Sequence, residues 1–123
     1  MHSFKAVTLI VCILALASFA VAANNLGIHD TGKVVFHSPT RVGNSLLPAG
    51  EYVVRHTMEG EEHVMLFKQL GVPAKKAVVV RVKCTLKPLP DIAATNEQRY
   101  QLEAGVQVLT MLQFKGEKAQ HIF

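Results

Sequence analysis

Val42-Gly-Asn-Ser-Leu-Leu-Pro-Ala-Gly-Glu-Tyr-Val-Val-Arg-His-Thr-Met-Glu-Gly-Glu-Glu-His-Val-Met-Leu-Phe-Lys68 is the stretch whose reading decides the fold. Pro48-Ala49-Gly50 is a turn, because proline presets φ and glycine accepts φ > 0. Glu51 to Thr57 and Glu62 to Lys68 then alternate apolar and polar residues, the period of a half-buried strand. Glu59-Gly60 lies between the two runs and reverses the chain, so the stretch reads as a β-hairpin with its entry corner attached. Within that corner Tyr52 follows Pro48 and Gly50 closely enough for its hydroxyl to bond back to upstream backbone. Pro48, Gly50 and Tyr52 are therefore assigned a structural role.

A two-residue loop at Glu59-Gly60 fixes a testable register. One face pairs Tyr52 with Phe67, Val54 with Met65 and His56 with His63, and the other pairs Glu51 with Lys68 and Thr57 with Glu62. Aromatic and apolar pairs gather on the first face and an opposite-charge pair on the second, as a sheet with one buried face requires.

Outward from the hairpin the chain remains strand-like. Lys33 to His37 is a short strand closed by Pro39, and Arg41-Val42 leads to a tight turn at Gly43-Asn44. From Ala77 to Lys87, Val78, Val80, Val82, Cys84 and Leu86 alternate with Arg81, Lys83, Thr85 and Lys87, the clearest strand of all. Asp91 to Asn96 is a connection with room for one helical turn at Ile92-Ala93-Ala94. Glu97–Glu103, Val106–Phe114 and Ala119–Phe123 complete a set of seven or eight short strands. The expected fold is all-β, a single antiparallel β-sandwich or partly closed barrel.

The first 22 residues stand apart. A basic head, an apolar run from Ala6 to Ala20 and the small-x-small pattern Ala20-Val21-Ala22 are the three parts of a signal peptide, with cleavage expected after Ala22. The alternative is an uncleaved anchor helix, the one route by which the chain would touch a membrane. Residues 23–123 then form one domain, secreted or periplasmic, of a size that can fold on its core alone. Cys84 is its only cysteine, which leaves no intramolecular disulfide. Loss of Lys5 reduces the formal charge from +4 to +3. A charge so small and scattered, without aromatics interleaved among basic residues, argues against nucleic-acid binding.

Chemistry concentrates at one place. His56 and His63, on one face of the hairpin, would bring two imidazoles within reach of a single metal ion, with Met58, Glu61, Met65 and Cys84 as neighbours. Sulfur beside imidazole suits copper or zinc. Cys84 itself faces inward and reads as a packed, inert thiol. His29, His37 and His121 are single histidines without a local motif. No nucleophile elbow, phosphate-binding loop, zinc-protease helix or calcium loop is present, so neither an enzyme site nor a cofactor is assigned.

Leu47-Pro-Ala-Gly-Glu-Tyr52 within Val42–Val53 resembles a hairpin of small secreted bacterial β-domains of uncharacterised function. More loosely, it resembles the Leu-Pro-Ala-Gly-x-Tyr piece of bacterial immunoglobulin-like surface modules. The likeness spans about a dozen residues of the 123 and implies a strand-turn-strand with no functional residue. The sequence thus leads to an exported, non-enzymatic β-domain, a binding or structural module of the cell envelope or extracellular space whose partner is a protein or a surface. The alternative is a periplasmic small-ligand or metal-binding protein using His56 and His63.

Overall fold

The structure is a computed structural model that describes residues 26–123. The signal-peptide assignment at residues 1–22 lies outside the described residues. Within them the chain is all-β and contains no helix. Nine strands form one sheet that does not close: β1 (Thr31–Phe36), β2 (Thr40–Val42), β3 (Ser45–Leu47), β4 (Gly50–Glu59), β5 (Glu62–Gln69), β6 (Val79–Pro88), β7 (Glu97–Glu103), β8 (Val106–Gln113) and β9 (Ala119–Ile122). The order across the sheet is β1-β4-β5-β6-β9-β8-β2-β3, with β7 paired to β8. There is thus at least one strand more than the seven or eight expected. One pairing is also not antiparallel: β2 runs parallel to β8 through Thr40↔Gln107 and Arg41↔Val108. A side-chain bond from Gln107 Nε2 to Thr40 Oγ1, 2.6 Å long, fastens that junction.

The strand β6 belongs to both halves of the sheet. Val79 to Cys84 pairs with β5, and Thr85 to Pro88 pairs with β9. The inner faces of the two halves supply one core, in which Val34, Phe36, Tyr52, Val54, Met65, Phe67, Val82 and Cys84 meet Val42, Leu47, Leu109 and Leu112. Its aromatic centre is Phe36, whose ring lies 5.4 Å from that of Tyr52 and 6.4 Å from that of Phe67. In β6 the alternation seen in the sequence is physical: Val82 and Cys84 are buried while Arg81, Lys83 and Thr85 face water.

The hairpin register differs from the sequence reading by two residues. The loop is Gly60-Glu61, so Glu59 opposes Glu62, His56 opposes Met65, and Met58 opposes His63. Gly60 adopts φ +63°, the conformation needed at the first central position of a two-residue type II′ loop. A Glu59-Gly60 loop would instead have asked a side chain at 59 to adopt it. A shift by two leaves every side chain on its expected face, because the strand period is two.

The segment from Asp91 to Asn96 does not form the helical turn. Ala93 is buried and tied to the β8–β9 turn by two backbone bonds of 2.9 Å, from its N–H to Glu117 O and from Gly116 N–H to its own carbonyl. Those bonds satisfy in extended form the backbone groups that a helix would have used.

Candidate metal centre

Four strands that are neighbours in the sheet each carry one soft or borderline donor on the inner face. They are His56 on β4, His63 on β5, Cys84 on β6 and His121 on β9. Cys84 is directly opposite His63, and His121 is opposite Leu86, two residues beyond Cys84 on the same face of β6. The row therefore follows from strand order and parity, with no loop needed to deliver a ligand.

One ligand atom each from His56, Cys84 and His121 lie within 4.8 Å of one another. His63 joins the group from the side: its Nδ1 is 3.2 Å from Nε2 of His56, and the ring centroids are 5.1 Å apart. The expected direct His56/His63 opposition is absent, since the two residues sit diagonally across the hairpin. Their rings nevertheless touch, because diagonal neighbours in an antiparallel pair are within reach of long side chains.

His121 is fully buried, and the turn before β9 explains its orientation. Glu117, itself 1% exposed, accepts a bond from His121 Nε2 through Oε1 at 2.6 Å. Its other oxygen, Oε2, accepts the backbone N–H of His29 at 2.8 Å. The lead-in segment that carries His29 is held against the same turn by Lys118 N–H to Leu26 O at 2.7 Å. With Nε2 committed to the carboxylate, the remaining ring nitrogen of His121 is Nδ1. Among the described residues it is the only buried side-chain N or O atom without a hydrogen-bond partner. Such an atom costs free energy comparable to a lost hydrogen bond.

Electrostatics prepares the donors differently. Burial, then the charges of His121 and His63, lower the His56 pKa from 6.5 to about 4, against opposing pulls from Glu117 and Asp30. His63 is lowered by burial and by His121. Both shifts favour the neutral imidazole, the form that binds metal. Burial pushes the Cys84 thiol up to about 11, so without a cation beside it the sulfur keeps its proton. A surface cleft lined by Asp30, His56, Thr57, Met58, His63 and Leu86 opens the cluster to solvent on the hairpin side.

The structural trio is accommodated as a corner. Tyr52 OH donates to Pro48 O at 2.6 Å, and Gly50 has φ +148°. Tyr52 lies in the core away from the histidines.

Sequence reasoning passed over His121 and did not single out Glu117. His121 has no neighbouring motif, and its closeness to Cys84 depends on β9 pairing with β6, a contact between distant parts of the chain. The available signal was the inward parity it shares with Ala119 and Phe123 on a short last strand. Searches of protein-family models, curated proteins and solved structures find nothing that matches the chain.

Proposed function

We propose that the protein is an exported, non-enzymatic β-sandwich domain that binds a transition-metal ion of the copper or zinc class through His56, Cys84 and His121, with His63 beside them. The observation that carries this reading is the convergence of one donor atom each from His56, Cys84 and His121 within 4.8 Å, beside a His121 Nδ1 that is buried without a hydrogen-bond partner. Imidazole nitrogen and thiolate sulfur bind zinc at ~2.0–2.3 Å, so donors around one tetrahedral ion stand roughly 3.3–3.8 Å apart. From 4.8 Å, that spacing asks for a contraction of about 1–1.5 Å between donor atoms. A thiolate beside imidazoles favours copper or zinc over calcium or magnesium, which take oxygen.

The test is calorimetric titration of protein produced from the full chain with Zn²⁺ and Cu²⁺, beside Cys84→Ser, His121→Ala and His56→Ala variants checked for folding by circular dichroism. Tight one-to-one binding that weakens in each folded variant is the expected result. Equal affinity in wild type and Cys84→Ser would sink the assignment.

A second reading, capture of a protein partner along a strand edge, is supported by β7. That strand pairs only with β8 among the described residues, and its Leu102 is 75% exposed. Leu102 lines a shallow cleft with Pro39, Leu46 and Val106. Exposed edges with apolar neighbours take up extended peptides. Pull-down with wild type and a Leu102→Lys variant tests it: a partner retained by both would exclude this edge.

A further inference from the structure

Resting on the metal-binding reading above, we infer that Glu117 is a positioning and charge-balancing residue that makes the pocket selective for a divalent ion over a monovalent one. Two separate features of its geometry lead there.

The first is orientation. The 2.6 Å bond from His121 Nε2 to Glu117 Oε1 occupies one ring nitrogen and leaves the unpartnered Nδ1 as the one able to ligate. A carboxylate that holds the far nitrogen of a ligating histidine fixes the ring and raises the basicity of the ligand atom. Glu117 is in turn held by the His29 N–H at 2.8 Å, so the carboxylate cannot swing away without breaking a second bond.

The second is charge. Glu117 sits 1% exposed directly behind a buried ligand, and a buried charge is tolerated only when it is balanced close by. A bound ion converts Cys84 to a thiolate, which adds a second negative charge to the same pocket. An imidazole that ligates does so in its neutral form and contributes none. Thiolate plus carboxylate is balanced by a charge of two, so Zn²⁺ or Cu²⁺ leaves the interior neutral. A monovalent ion such as Cu⁺ or Ag⁺ leaves one negative charge unbalanced inside the pocket, with only the half-exposed His29 ring, 3.7 Å from Glu117 Oε2, beside it. Asp30, on the rim of the cleft with His56 and His63, adds attraction for a cation at the entrance.

The experiment compares ion types within one protein. Wild type and Glu117→Gln, both produced from the full chain, are titrated with Zn²⁺ and Co²⁺ as divalent probes and with Ag⁺ as the soft monovalent probe. The thiolate-to-cobalt charge-transfer absorption reports whether Cys84 ligates. In Glu117→Gln the divalent affinities should fall about 10–100-fold, while Ag⁺ affinity stays level or rises. Parallel losses for both ion types would show a structural role alone and overturn the inference while leaving the metal site standing. Unchanged divalent affinity would overturn it likewise. Failure of wild type to bind any of the ions would instead remove the metal-binding reading itself. Should Glu117→Gln not fold, Glu117→Asp decides: it keeps the charge, so the wild-type preference for divalent ions should persist, and its loss would overturn the inference.

Discussion

His121 and Glu117 form a buried pair, Nε2 to Oε1 at 2.6 Å, in which both side chains are 1% exposed. Removing one member strands the other. In His121→Leu the Glu117 carboxylate keeps the His29 N–H and the half-exposed His29 ring, 3.7 Å from Oε2, but loses its buried partner, and breaking such a pair costs about 3–5 kcal/mol. Replacing both members with apolar groups of similar volume removes the stranded charge, and such exchanges are often near neutral. The double variant Glu117→Leu, His121→Leu should therefore be more stable in urea than His121→Leu alone. A double variant that is weaker by the sum of the single effects would mean that the pair is not coupled.

Tyr52 OH donates to Pro48 O and closes the corner that starts the hairpin. Tyr52→Phe keeps the ring in contact with Phe36 and deletes only the donor. A lost hydrogen bond of this kind costs about 1 kcal/mol, which lowers Tm by roughly 4–8 °C in a domain of this size. Metal affinity should be unaltered, since the corner lies at the other end of β4 from His56. A changed affinity would show that corner and site are linked.

How much of this could be read from the sequence depended on the range of each interaction. Strand parity is local, so Tyr52, Val54, Met65, Phe67, Val82 and Cys84 were placed on the inner face from alternation alone, and all are buried. Register depends on which residue accepts φ > 0 in a four-residue turn, and the loop falls at Gly60-Glu61, one step beyond the position assumed. The bulge in β8, which leaves Thr110 unpaired between Arg99↔Met111 and Tyr100↔Leu109, had no sequence mark at all. It shifts the phase of β8, so that the adjacent residues Met111 and Leu112 are both buried. The site combined both cases. His56 and His63 were visible as a local pattern, while His121 and Glu117 reach them only through the pairing of β9 with β6 and the lead-in across the β8–β9 turn.

Gly32 lies where β1 passes Phe114. A Cβ placed on it would stand 2.7 Å from Phe114 Cε1, closer than packed carbons approach. Gly32→Ala must therefore displace the ring, whose other neighbour is His121 at a centroid distance of 5.5 Å. Overpacking of this order costs about 1–3 kcal/mol. Phe114→Leu added to Gly32→Ala should recover part of the loss, a coupling that a double-mutant cycle measures directly. Additive effects would show that the clash is relieved elsewhere.

Cys84 supplies a reactivity prediction. Its thiol is buried and raised to about 11, and the attacking species in alkylation is the thiolate. Iodoacetamide should modify the native protein far more slowly than the urea-unfolded chain at neutral pH, and bound Zn²⁺ should slow it further. Equal rates in native and unfolded protein would place the sulfur in solvent.

Acid should weaken the metal-free domain through His56. In the unfolded chain its imidazole titrates near 6.5, whereas in the fold burial first, then His121 and His63, hold it at about 4 against Glu117 and Asp30. Between those values the unfolded state binds a proton that the native state refuses, so stability falls as pH drops from 6.5 to about 4 and changes no further from this group below that. His63, lowered in the same direction, adds to the loss. Urea midpoints measured from pH 7 to pH 4 should fall, and His56→Gln should flatten the decline because the titrating group is gone. Zn²⁺ should oppose it at the upper end of the window, where the ion still competes with protons for the imidazoles. A wild-type midpoint that holds steady or rises as the pH falls from 6.5 to 4 would contradict a neutral, desolvated His56.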